Sequence, residues 1–153
     1  MKKITVPAFI DRLQQVLAQI AGFLEQEGCP ENERRLIEIS AEELFTNIVS
    51  YAYGKYPGIS RENGQVQVEY GVNLLPEGEK QADICFIDQG KPFNPFARED
   101  PDLTLSLEER PVGGLGIYMV KQFMDQAEYR YEKGFNVTTI SKRFRPEGER
   151  KSG

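Results

Sequence analysis

The sequence predicts a two-layer α/β sandwich, with a mixed, mostly antiparallel sheet and three helices on one face. Three observations point there. The apolar residues recur at helical spacing from Ile10 to Ala52, then alternate with period 2 from Val66 onward. The elements read in the order strand, helix, helix, two strands, a long irregular stretch, helix, two strands. A chain of 153 residues fits one domain, and 39% apolar residues, with nine Phe and seven Tyr, can fill its core.

Residues 2–6 read as a short strand. Pro7 opens a helical pattern, as proline tolerates a first helical turn. Ile10, Leu13, Leu17, Ile20 and Leu24 then line one face. Gly28 ends that helix as a left-handed cap. Pro30 starts a longer helix with Glu31 and Glu33 at its positive end. Its stripe is Ile37, Ala41, Leu44, Ile48 and Ala52, and Gly54 stops it. Val66, Val68, Tyr70 and Val72 alternate with polar residues or glycine as a half-buried strand. Pro76-Glu77-Gly78 signals a turn into residues 82–87, an antiparallel partner strand.

Residues 89–112 carry Pro92, Pro95, Pro101 and Pro111 among mixed charges. A structureless stretch this long is either functional, such as an active-site lid, or disordered. As a lid it is expected to be mobile until a ligand orders it. Gly113-Gly114-Leu115-Gly116 closes it and opens a third helix, with Ile117, Val120, Phe123 and Met124 on the apolar side. Residues 127–132 and 135–144 are strands joined at Lys133-Gly134. The domain is thus expected over residues 1–144, with a polar tail over 145–153. The sheet face away from the helices is expected to need cover, which a second copy of the chain could supply.

Composition excludes several functions. The net charge is −5, from 24 acidic against 19 basic residues, which argues against a nucleic-acid or membrane-surface partner. There is no His, hence no Ser-His-Asp triad, Cys-His dyad, His-ligated zinc or phosphohistidine within this chain. Cys29 and Cys85 lie far apart and form no CxxC, consistent with reduced thiols. No run approaches the ~20 apolar residues of a membrane helix. Met1-Lys2-Lys3 leads into no signal-peptide core, so the expected location is cytoplasmic.

Three short constellations can carry chemistry. Glu43 and Asn47 are four apart on the second helix, so their side chains share a face. A carboxylate can take a proton from a hydroxyl or water. An Asn carbonyl oxygen can ligate magnesium. Asp88-Gln89-Gly90 follows a strand. There Asp88 can accept a hydrogen bond from an exocyclic amine such as adenine's, and Gly90 permits close approach to a planar ring. Gly113, Gly114, Leu115 and Gly116 lead into a helix N-terminus, which suits a phosphate. Arg110 lies just upstream and could reach a terminal phosphate. Taken singly, each also reads as an ordinary helix position, a strand-ending turn or a glycine-rich connection. A dinucleotide-binding GxGxxG after a first strand, a P-loop and the motifs of ordinary protein kinases are absent.

In order and on these element types, the set resembles the GHKL ATP-binding superfamily of gyrase-type ATPases and histidine kinases, built on the Bergerat fold. Glu43 and Asn47 match its N box, Asp88 and Gly90 its first glycine box, and residues 113–116 its second. The resemblance also implies a Thr near the adenine on the late strand, here Thr138. Within the superfamily the chain is similar to the small bacterial anti-sigma factor serine kinases of the RsbW and SpoIIAB type. Residues 42–53, 88–95 and 110–125 carry that likeness. It implies ATP and Mg2+, transfer to a serine of a STAS-domain anti-anti-sigma partner, and sequestration of a sigma factor by a kinase homodimer. Tyr51 stands where relatives often carry His. Two other functions fit the same motifs: a nucleotide-gated binding module without kinase activity, and an ATPase in which water replaces serine.

Overall fold

The structure, a computed structural model, describes residues 1–53, 63–97, 104 and 115–147. The elements are β1 (Lys2–Pro7), α1 (Leu13–Gln26), α2 (Glu31–Tyr51), β2 (Gln65–Leu74), β3 (Lys80–Asp88), α3 (Leu115–Phe123), β4 (Gln126–Glu132) and β5 (Phe135–Phe144). They form a five-stranded sheet in the order β1-β2-β3-β5-β4. The sheet, expected to be mostly antiparallel, is antiparallel at every pairing among the described residues. Because β5 inserts between β3 and β4, the chain leaving β3 must cross to the far edge before it returns. That crossing carries α3.

Pro7 departs from its expected place. It closes β1, paired with Gln65, instead of opening α1. β1 is an edge strand, where a residue without an N–H need cost no ladder hydrogen bond. A single 3-10 turn at Ile10–Arg12 precedes α1, and Ile10 is 55% exposed. The buried face of α1 is Leu13, Val16, Ile20 and Leu24. Gly28 does cap it, with φ +83°. The Gly28 N–H donates to the Glu25 carbonyl (3.0 Å) and the Cys29 N–H to the Leu24 carbonyl (2.9 Å), the paired bonds of a Schellman end.

Helix α2 begins after Pro30 and buries Ile37, Ser40, Ala41, Leu44 and Phe45. Gly54, expected to stop it, lies outside the described residues. Period-2 alternation turns Val66, Val68 and Tyr70 of β2, Ile84 and Phe86 of β3, and Ile140 of β5 toward the helices. Each such burial is worth about 1.5–3 kcal/mol in transfer free energy. Helix α2 lies between α1 and α3 and packs on β3 and β5.

The opposite sheet face, for which cover by a second copy is expected, carries a polar cluster centred on Asp83. Asp83 there accepts from Asn73 (2.7 Å), Gln81 (3.0 Å) and Ser141 (2.6 Å), so its polar groups satisfy one another. The expected tail also begins attached. The Glu147 N–H donates to the Gly28 carbonyl (2.7 Å), and Arg145 donates to the Glu77 carbonyl (3.2 Å). Residues 148–153 lie outside the described set. Among the described residues no helix is long and apolar enough to cross a membrane.

Candidate functional site

Strand register builds one half of the site. The inward alternation of β3 runs through Ile84 and Phe86 to Asp88, so a carboxylate occupies a position that the pattern assigns to a core residue. Asp88 is only 4% exposed. The β3–β5 pairing sets Asn136 directly opposite it. Asp88 Oδ1 accepts from the Gly90 N–H (2.8 Å) and from Asn136 Nδ2 (2.9 Å). No described residue donates to Oδ2. Burial pushes the Asp88 carboxyl above its ordinary range, and the two hydrogen bonds only partly pull it back.

Asn136 is the hub of this half. Its Nδ2 also donates to the Lys91 carbonyl (2.9 Å). Its Oδ1 accepts from the Phe93 N–H (3.1 Å) and from the Tyr129 hydroxyl. The sequence reading stopped at Thr138, two residues on, and missed Asn136. A signal was present: a two-residue turn at Lys133-Gly134 places 136 and 138 on the same face as Ile140, so two polar residues point at the core.

The chain after β3 is fastened at several points. The Gln89 N–H donates to the Tyr53 hydroxyl (2.9 Å), and that hydroxyl donates to the Gln65 carbonyl (2.6 Å). The Lys91 N–H donates to the Ala52 carbonyl (2.9 Å). The Phe93 ring meets the Tyr51 ring at 5.8 Å. The start of the expected lid, residues 89–93, is thus tied to α2 and the sheet. A Cβ at Gly90 would overlap the carbonyl of Ala52. The close approach of the end of α2 is one reason for a glycine there.

A cavity opens between α2 and the sheet. Leu44, Asn47, Ile48 and Ala52 line one side; Asp88, Asn136 and Thr138 line the floor; Phe93 and Pro95 complete the rim. The structure thus brings Asn47, Asp88 and Thr138 together. Apolar walls with a few convergent polar groups suit a flat heteroaromatic ring whose edge meets Asp88. No group of three or more His, Cys, Asp or Glu among the described residues could hold a metal. Asn47 could therefore offer one oxygen to a hard cation whose other ligands are phosphate and water, which matches magnesium's preference.

Glu43 does not line the cavity. Its carboxyl group lies instead against Gly116 in the first turn of α3, so close that a Cβ there would overlap the carboxyl carbon and both oxygens. Burial pushes its pKa up, and the neighbouring Glu42 charge adds to the shift. Leu115, the first residue of α3, is 40% exposed. Arg110, Gly113 and Gly114 lie outside the described residues.

The family model described as a histidine kinase-like ATPase domain matches residues 6–142. The serine-protein kinase RsbW of Bacillus subtilis is 25% identical over 137 residues, covering 86% of this chain and 79% of that protein. The protein of the same name from Bacillus mycoides is 24% identical over 136 residues, covering 86% and 78%. A crystal structure of the RsbU and RsbW domains of Rv1364c from Mycobacterium tuberculosis superposes with a TM-score of 0.55 at 17% identity. That match covers 93% of this chain and about a third (32%) of the other, and is a likeness of fold. With the family model running through all five strands and three helices, the chain belongs to the histidine kinase-like ATPase domain family.

Proposed function

We propose that this protein is an ATP-dependent serine-protein kinase that acts as an anti-sigma factor. The observation that carries the nucleotide reading is Asp88. A buried carboxyl group with one oxygen fixed, and with no described residue donating to the other, is costly to keep for structure alone. It suits the exocyclic amine of adenine, and it would repel the carbonyl that guanine presents there. Thr138 and Asn136 support the same edge. Asn47 would hold Mg2+, whose charge offsets that of the phosphates. Gly113, Gly114 and Leu115, with Arg110, would receive the phosphates at the start of α3.

In the transfer step the serine Oγ of a STAS-domain anti-anti-sigma partner attacks the terminal phosphorus of ATP. The bond to the ADP oxygen breaks, and Glu43 takes the hydroxyl proton. The products are phosphoserine and ADP. Alternation between the STAS partner and a sigma factor, with the kinase as a cytoplasmic homodimer, is the partner-switching form of this reading. It draws support from the likeness to serine-protein kinases named RsbW.

The rival, a nucleotide-gated binding module without transfer, has one observation in its favour: Glu43 rests on α3 outside the cavity lining. The experiment that separates the two is incubation with ATP, Mg2+ and STAS-domain anti-anti-sigma proteins from the same organism. Mass spectrometry then looks for phosphoserine. A stoichiometric phosphoserine supports the kinase. Tight ATP binding with an unmodified partner rejects it in favour of the module, and release of free phosphate instead points to the ATPase.

A further inference from the structure

Glu43 and Gly116 meet in a way that the motif assignment does not anticipate. The glycine-rich run at the start of α3 was read as making room for phosphate. At Gly116, however, the space that a side chain would fill is already taken by the carboxyl group of Glu43, from the adjacent helix. Glycine is a poorer helix former than alanine, and a local reason for it in the first turn of α3 is on hand. The carboxylate also makes no hydrogen bond to any described residue. Among the described residues it is held by fit: α2 supplies the stem, and the bare Cα of α3 supplies the seat. Thr46 reinforces the stem, since its hydroxyl donates to the Glu43 carbonyl at 3.0 Å.

We infer that Gly116 is a positioning residue for Glu43, and that its lack of a side chain serves the base and not the phosphates. The inference rests on the reading of Glu43 as the base of a phosphoryl transfer. Helix α2 alone leaves a Glu side chain several rotamers, and α3 selects among them. An added methyl at 116 would meet the far end of a flexible side chain, so the carboxylate would yield before either backbone did. A displacement on the order of 1 Å at a reacting group costs about 100-fold in rate.

Two measurements on the full chain test this. The first is single-turnover phosphate transfer and ATP·Mg2+ affinity for Gly116→Ala. The expected result is a transfer rate about 100-fold lower with affinity within about threefold of the parent. A loss of affinity with the transfer rate at saturation unchanged would overturn the inference and return Gly116 to the phosphates. The second needs no activity. Melting temperatures are compared for Gly116→Ala in the parent and in a Glu43→Ala background. With the carboxylate gone, the alanine is free to add its helix propensity, so the substitution should raise the melting temperature by more in the Glu43→Ala background than in the parent. Equal shifts in both would mean that the two residues do not interact, and would overturn the seat whatever the reaction is. If the seat is present but no transfer occurs in any variant, it is the kinase reading that fails.

Discussion

The Asp88 end of the site is held by hydrogen bonds, and the Glu43 end by shape. At Asp88 every contact has a direction: the Gly90 amide and the Asn136 amide fix one oxygen, and Asn136 in turn grips Lys91, Phe93 and Tyr129. At Glu43 the contact is a carboxyl group laid against a bare Cα. A hydrogen-bonded acceptor in a dry pocket discriminates between ligands by what it pairs with. A sterically seated carboxyl group with a raised pKa suits a group that must gain and lose a proton in one place. The two ends should therefore fail differently, one in affinity and selectivity, the other in rate.

The largest effect is expected at the seated end. Glu43→Gln keeps the shape and removes the basicity. Transfer should fall by ~10²–10⁴-fold, the usual contribution of a general base, while ATP affinity stays within a few-fold. Single-turnover kinetics beside calorimetric titration reads both.

The next effect belongs to the hydrogen-bonded end and carries a sign that seems inverted. Asp88→Asn should weaken ATP binding by tenfold or more and erase the preference over GTP, on the order of 1.4 kcal/mol or above. The same change should stabilise the nucleotide-free protein at neutral pH. Burial raises the Asp88 pKa in the folded state above its ordinary 3.8, so the folded protein binds the proton more tightly than the unfolded chain. The charged carboxylate therefore costs stability, fully so above the folded pKa. That cost fades as pH falls through the folded pKa toward the unfolded one. The advantage of Asn over Asp should accordingly be greatest at neutral pH and shrink on acidification, as read by denaturant titrations at several pH values. An advantage that grew with acidity would mean the carboxylate is stabilising.

Asn136→Ala tests the hub. It removes one of the two hydrogen bonds to buried Asp88 and the bond to the Lys91 carbonyl, and leaves the Phe93 amide with the Tyr129 hydroxyl alone, at a cost of about 1–3 kcal/mol in stability. Selectivity for ATP should fall with it. Thr138→Val removes a hydroxyl from the same floor and should do less, because Asp88 takes its hydrogen bonds from Gly90 and Asn136.

The smallest effect lies outside the comparison and calibrates it. Ser40 is fully buried on α2 and its hydroxyl has no hydrogen-bond partner. Ser40→Ala should stabilise by about 1 kcal/mol, raising the denaturation midpoint while leaving transfer and affinity as they were.

The fold was legible in the sequence wherever periodicity was strong. The alternation of Val66, Val68 and Tyr70 and the stripe through Ile37, Ala41 and Leu44 appear as read. Pro7 was misplaced because proline is tolerated both at a helix start and on an edge strand, and only the sheet order shows that β1 is an edge. In the site, Asp88 could be read from the chain because it ends a strand. Asn136 could not be paired with it, since the β3–β5 register depends on β5 inserting inside β4, a long-range event without a local signature. The Glu43–Gly116 contact was hidden for the same reason: two helices far apart in sequence meet at a point where one of them has no side chain. The network around Asp83 on the outer face was hidden because it joins residues from three places in the chain, Asn73, Gln81 and Ser141.

One paired experiment bears on the central claim most directly. ATP·Mg2+ affinity and the single-turnover rate of phosphate transfer to a STAS-domain serine are measured for Glu43→Gln and Asp88→Asn under the same conditions. The account predicts that Glu43→Gln loses rate and keeps affinity, whereas Asp88→Asn loses affinity and, once saturated with ATP, keeps most of its rate. It would be contradicted if both variants lost the same quantity, or if Glu43→Gln transferred phosphate as fast as the parent chain.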